Sequence, residues 1–255
     1  MQLLQSRLLR CRDGTVRREY SGWRARAAGT RMPRMNSAAA LNAGHPALAP
    51  LVAAGFEPQR IEQVLRFYDE PHRRYHDRRH LHEMFDAAVA FGLKLSAPQA
   101  LAVLFHDAIY VPGAARGLNE ALSAQLLRVY AGGLAAPLVE TAYAIVIDTA
   151  EHVARSGEAK LVLDLDLMRL AAARDEFIRY SREVFAEQRP LILVEDDDDA
   201  WDFFAQRRVQ FFERLLERPA IFCLPAFRER FEAITRSNLR ESIDWVRAAG
   251  NRGMP

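Results

Sequence analysis

Cysteine is nearly absent from this 255-residue chain: there are two, Cys11 and Cys223, far apart in sequence. That spacing offers no disulfide framework, and any metal must be held by histidine and carboxylate rather than thiolate. Long apolar runs are missing too. None approaches the roughly eighteen residues that a membrane-crossing helix needs, and the N-terminus has neither the apolar stretch nor the small-residue cleavage site of a secretory signal. The expected setting is cytoplasmic, with no membrane partner. No Walker-type glycine loop is present, and no serine, threonine or cysteine stands in a nucleophile motif. Covalent catalysis and a P-loop nucleoside triphosphatase therefore have no support.

A broadly basic body is another absence. The sequence pI is near 8.7, yet residues 1–36 carry nine arginines against Asp13 and Glu19, a net of +7 that leaves −5 on the remaining 219 residues. The basic character belongs to the tail, which argues against nucleic acid as a partner of the folded body. Residues 1–36 show no sustained period and read as a disordered Arg-rich extension or a mis-assigned start, with a nucleic-acid-binding arm or an import segment as the other readings. Residues 37–255 read as a single domain without repeats.

What is present is helical periodicity. From residue 47 apolar residues recur at spacings of three and four and no strand-like alternation persists, which predicts an all-α fold. Helices are expected over about 58–69, 78–92, 97–110, 119–131, 137–155, 174–188, 200–217 and 225–249. Pro71 ends the first, Ser96 and Pro98 open the third as cap and early-turn proline, and Asn119 follows the loop "VPGAARG" as a cap for the fourth. The acidic run at 195–199 reads as a solvated helix start, where the positive end of a helix favours carboxylates, rather than as a cation site.

Histidine is scarce, seven in all, yet three fall in "YHDRRHLHEMF" (75–85), and "LFHDAIY" (104–110) holds another. His106 and Asp107 close an apolar helix, where burying an imidazole beside a carboxylate is costly unless the two are paired or bind a cation. Asp77 can cap a helix beginning near Arg78. His80 then lies in its first turn facing inward, His82 about 200° around it toward solvent, and His76 just outside. In "LVLDLDLMRL", Asp164 and Asp166 interrupt what would otherwise be pure core. His80, His106, Asp107 and one of these aspartates would make a mixed nitrogen and oxygen ligand set suited to Mn, Fe, Co, Ni, Zn or Mg.

These residues resemble the HD-domain metal-dependent phosphohydrolases, which share a His, then His-Asp, then Asp order along a helical bundle. The likeness is closer to a bacterial subgroup with "EPHRxYHxxxH", "FHDxxY", "NExxSA", "TxxH", "DxDL" and a final "NL" before an acidic residue. Here those are residues 70–80, 105–110, 119–124, 149–152, 164–167 and 238–241, so the likeness spans about residues 51–245. It implies an HD-domain-like bundle with His80, His106, Asp107 and Asp166 as metal ligands. Asp166 is preferred to Asp164 because the family's fourth ligand usually precedes a hydrophobic or basic turn, as Asp166 precedes Leu167, Met168 and Arg169.

The same likeness implies Glu120 as a water-orienting acid beside the ligand Asp107, and His152 as a supporting or second-metal residue; a hydrogen-bonded core histidine is the other reading of His152. Asp148, which could orient the His152 ring, and Asp164 fall in the same supporting group. Arg73, Arg74, Arg78 and Arg79 flank His76 and His80, and guanidinium forks suit phosphate oxygens; Arg73, His76 and Arg79 are the expected substrate contacts. The chain departs from the family at "YSREVF" (180–185), where relatives often read "IRxEY", and in the loop after "HDAIY", which lacks an acidic residue. Both departures bear on substrate contacts more than on the metal.

The expected activity is hydrolysis of a phosphate ester or nucleotide by metal-activated water. A module that holds metal and nucleotide without turnover, as sensor or scaffold, is the alternative. A helical protein that pairs these groups internally is a third reading.

Overall fold

A computed structural model describes residues 41–249 and, before them, the backbone of two strands, β1 (Ser6–Arg10) and β2 (Val16–Tyr20). The strands pair antiparallel with Ser6 opposite Tyr20 and Arg10 opposite Val16. Chain contacts group residues 1–30 apart from 31–255. The reading of residues 1–36 as a disordered extension lies, these strands aside, outside the described residues.

Residues 41–249 form helices and connecting turns. In order these are α1 (Ala49–Ala53), α2 (Pro58–Leu65), α3 (Arg78–Ala90), α4 (Ala97–Phe105), α5 (Leu118–Tyr130), α6 (Ala136–Thr149), α7 (Ala159–Leu167), α8 (Arg174–Gln188), α9 (Asp197–Leu216), α10 (Pro225–Phe227) and α11 (Ala233–Ala249). Short 3-10 turns extend α2 and α7, and a π-helical turn leads into α11. No helix among the described residues is long and apolar enough to cross a membrane.

α4 is the hub, with α1, α2, α3, α5, α6 and α7 packed around it. Its sequence is apolar on every side, and each residue from Gln99 to its end is buried, as such a helix requires. Its start is held by a reciprocal cap: Ser96 Oγ accepts from the Gln99 N–H, and Gln99 Oε1 accepts from the Ser96 N–H at 2.9 Å. A smaller apolar cluster of Val184, Phe185, Ala200, Trp201, Phe204 and Ala205 joins α8 to α9, and Tyr75 packs against it.

Where the elements differ from the periodicity, local chemistry explains it. α6 stops at Thr149 rather than near 155, and His152 follows in the left-handed region at φ 48°. α4 ends at Phe105, which frees His106 and Asp107 from the helix body. α7 was not anticipated because its two aspartates break the apolar stripe that marks a helix. Gly117, at φ 79°, takes the cap position of α5 in place of Asn119. Asn119 instead pins the preceding loop, accepting from the Val111 N–H and donating to the Val111 carbonyl. The acidic run does start a helix: Asp196 caps α9 by accepting from the N–H groups of Asp198 and Asp199.

The Ser96→Ala protein is expected to lose about 1 kcal/mol of stability. Urea unfolding should show this as a lower midpoint with an unchanged slope.

Candidate metal centre

His80 sits in the first turn of α3 because Asp77 caps that turn, accepting from the N–H groups of Arg79 (2.9 Å) and His80 (3.4 Å). His106 and Asp107 come from the end of α4, and Asp166 from α7. One ligand atom from each of His80, His106 and Asp166 lies within 4.8 Å of the others. His80 Nε2 is 3.1 Å from Asp166 Oδ1 and 3.3 Å from His106 Nε2. Asp107 Oδ2 approaches His106 Nε2 at 3.0 Å. Both histidines are 1% exposed.

One feature suits these residues to a cation. His106 Nδ1 donates to the Val103 carbonyl at 2.9 Å, which turns Nε2 toward the cluster. When that imidazole is neutral, its Nε2 lone pair faces two carboxylates, an arrangement a cation relieves. On the side of the His80 ring away from the cluster, Nδ1 is buried with no partner among the described residues.

Electrostatics follow from the crowding. Burial pushes His106 down, but the charge and hydrogen bond of Asp107 and the charge of Asp166 outweigh it and raise the pKa to about 9. For His80 burial wins, and its pKa is lowered. Burial would raise both carboxylates. The His106 charge and hydrogen bond overcome this at Asp107, and the hydrogen bonds of His152 and His80 do so at Asp166. Both stay ionised well below the usual carboxylate range.

His152 joins the cluster with Nε2 at 3.0 Å from Asp166 Oδ2. Its left-handed backbone is a conformation that non-glycine residues adopt sparingly. Arg218 secures the turn by donating to the carbonyls of Glu151 and His152, both at 2.7 Å. Glu120, in the first turn of α5, is half-buried, and its pKa is raised by burial and by the charges of Asp107 and Asp166.

Other expected site residues face elsewhere. Asp164 is fully buried, its carboxylate accepting from the N–H groups of Cys223 (2.6 Å) and Leu224 (2.7 Å). Asp148 accepts from the Arg155 backbone and guanidinium and makes no bond to His152. Arg73, expected to meet substrate, is instead buried, with its fork spent on Glu70 and on the carbonyls of His76, Asp107 and Ala108. Arg79 is bonded to Asp77 and to the Arg74 carbonyl, Arg78 to Asp69, and Arg74 to the carbonyls of Pro71 and Arg73. Each arginine of the opening cluster is thus engaged by the fold. His82 does not face open solvent but meets Asp86 at 3.5 Å beside His45, whose Nε2 is 3.0 Å from Asp86.

The sequence reasoning missed two buried pairs beside the centre. Glu187 of α8 accepts from the N–H groups of Arg74, Tyr75 and His76 through one oxygen and bonds His76 Nδ1 at 2.7 Å through the other. His76 stacks on Tyr110 at 4.2 Å. Arg169 bonds Glu83 at 2.7 Å and lies over the rings of Tyr75 and Tyr180. Neither pair has a local signature, because the partners lie 111 and 86 residues apart. No family model, curated protein or solved structure matches the chain significantly.

Burial pushes Glu187 up, but the charge and hydrogen bond of His76 and the backbone donors hold its pKa at about 2. A carboxylate depressed in the folded state stabilises the fold above its unfolded pKa and loses that contribution as pH falls through the folded value. Glu187→Gln is therefore expected to cost on the order of 3 kcal/mol at neutral pH. Denaturation at stepped pH should show the gap to wild type closing between about pH 4.5 and 2.

Proposed function

We propose that the protein is a metal-dependent phosphohydrolase, acting on a phosphate ester such as a nucleotide, with an HD-domain-like bundle as its scaffold. One observation carries this reading: two imidazole nitrogens and two carboxylates from three separate segments converge at the buried end of α4. His80, His106, Asp107 and Asp166 are the ligands in this reading. The two imidazoles favour a transition ion such as Mn, Fe, Co, Ni or Zn over Mg. Bound there, a divalent cation acidifies a water and polarises a phosphoryl oxygen.

The chain's own groups divide the proton transfers. Glu120, whose raised pKa makes its carboxylate a better base than an exposed glutamate, takes the proton of the attacking water. His76 has its pKa raised by Glu187 against the effect of burial, which suits it to give a proton to the leaving oxygen. One proton is accepted and one donated, so an ester and water become an alcohol and phosphate. His152 orients Asp166 through the bond to Oδ2.

Elemental analysis of chelator-free protein, with phosphate release from a nucleotide and phosphoester panel, tests this beside a His106→Ala, Asp107→Ala double variant. Near-stoichiometric metal and turnover in wild type, both lost in the variant, are expected. Equal metal in both samples would sink the assignment, and metal without turnover would leave a binding module. A second expectation concerns pH. Cation uptake must displace the proton that His106 holds up to about pH 9, so affinity should climb with pH until about 9 and level off. Titration calorimetry in buffers of different ionisation enthalpy should detect the released proton.

A further inference from the structure

Apart from the candidate centre, a second group of metal-ligating side chains gathers on α3. His82 and Asp86 stand one turn apart on that helix, about 200° or more around it from His80, and His45 reaches them from the turn that precedes α1. One donor atom from each of the three lies within 4.8 Å of the others.

Hydrogen bonding accounts for only part of this trio. His45 Nε2 is 3.0 Å from Asp86 Oδ1, an ordinary bond. His82 Nε2 is 3.5 Å from Asp86 Oδ2, long for a hydrogen bond, and no hydrogen bond among the described residues engages its ring. The imidazoles meet edge to face with centroids 5.8 Å apart, and both turn Nε2 to one carboxylate. The separations of 3.0 and 3.5 Å bracket the roughly 3.3 Å between neighbouring ligands of a tetrahedral ion whose bonds are about 2.0–2.1 Å.

The packing holds this set in place without an ion. His45 caps the 3-10 turn Pro46–Leu48, and its ring lies 5.7 Å from that of Phe85. Leu41 and Leu48 are buried to either side of it in the chain, and the Ala43 N–H donates to Glu62 at 2.8 Å. The side chains of His45 and His82 are 10% and 14% exposed, that of Asp86 27%, so the rings are largely withdrawn from water while the carboxylate faces it. An ion can enter on that side, and water can complete its shell.

We propose that His45, His82 and Asp86 form a second site for a divalent transition ion, zinc being the best fit to two imidazoles, one carboxylate and a water. The bound ion clamps the segment before α1 onto α3. This site stands independently of the phosphohydrolase reading. It is the weaker of the two, because His45 Nδ1 accepts from the Ala47 N–H at 3.3 Å. With that tautomer Nε2 carries the ring proton; when the ion takes Nε2, the proton moves to Nδ1 and the long bond to Ala47 is given up. Protein as purified therefore carries metal at the centre alone, and added zinc fills this site.

The test is equilibrium dialysis of full-length protein against zinc, for wild type, His45→Gln, His82→Gln and the His106→Ala, Asp107→Ala double variant. Wild type and the double variant should each take up one zinc beyond what they carry as purified. His45→Gln and His82→Gln, which alter two separate segments and keep a donor for Asp86, should bind that zinc at least about tenfold more weakly. Saturating zinc should raise the melting midpoint of wild type and leave that of His82→Gln in place, because only an ion bound to the folded site stabilises it. Full uptake by both glutamine variants would place the ion elsewhere and overturn the proposal. Wild type that takes up no added zinc would overturn it as well. Zinc that binds the double variant but not His82→Gln belongs to this site whatever the centre holds, so the two assignments fail separately.

Discussion

Asp166 is the carboxylate on which the arrangement of the bundle depends. Its Oδ1 meets His80 from α3 and lies 3.7 Å from His106 at the end of α4, while Oδ2 meets His152 from the turn after α6. Three imidazoles around one largely buried carboxylate tie together segments that are far apart in sequence. Removing a single partner from such a cluster leaves a buried charge uncompensated, which costs more than the intact pair contributes. The packing of α3, α4 and α7 and the strained backbone at His152 thus have a common purpose: they deliver four side chains to one point.

Around that point, the buried charges are arranged to hold the segment 70–80 still. Arg73 ties it to the carbonyls of Asp107 and Ala108, Glu187 gathers three consecutive N–H groups from it, and Arg169 reaches the Tyr75 carbonyl. This stretch has only turns between the end of α2 and α3, so its backbone groups lack helical partners, and buried backbone polar groups must find others. Side chains supply them. That accounts for the crowding of arginine and histidine in this stretch: much of the charge serves the loop that leads to the Asp77 cap and to His80 in the first turn of α3.

How much of this could be read from the sequence follows from the range of the forces involved. Helix starts are local, so the caps at Asp77 and Ser96 and the acidic start of α9 were legible from adjacent residues. The grouping of His80, His106, Asp107 and Asp166 was legible because the last three are costly polar groups in or at the end of apolar stretches and, with His80, follow an order that resembles that of a known family. The partners of Arg73 and His76 were not, since backbone carbonyls carry no sequence signature and Glu187 lies on a distant helix. The end of α6 was hidden as well. Nothing around His152 announces a left-handed residue, and the Arg218 side chain that supports it comes from beyond α9.

The pair Asp164 and Asp166 shows why position on a helix, not composition, decides a role. Two residues apart on α7, they lie about 200° around the axis from one another. One must turn away from whatever the other faces. Asp164 points to the start of α10, where its carboxylate accepts from two backbone N–H groups that precede Pro225. Burial raises its pKa to about 6 against those bonds, so at neutral pH this contact is still held mainly by the carboxylate. Asp166, on the opposite face, is kept ionised by imidazoles. The helix is anchored by polar contacts on both sides, one fixing its rotation against the chain that follows and the other presenting a permanent anion to the centre. An apolar residue at position 164 would leave two N–H groups buried without acceptors and loosen that rotation, so the carboxylate that takes no part in the cluster helps to aim the one that does.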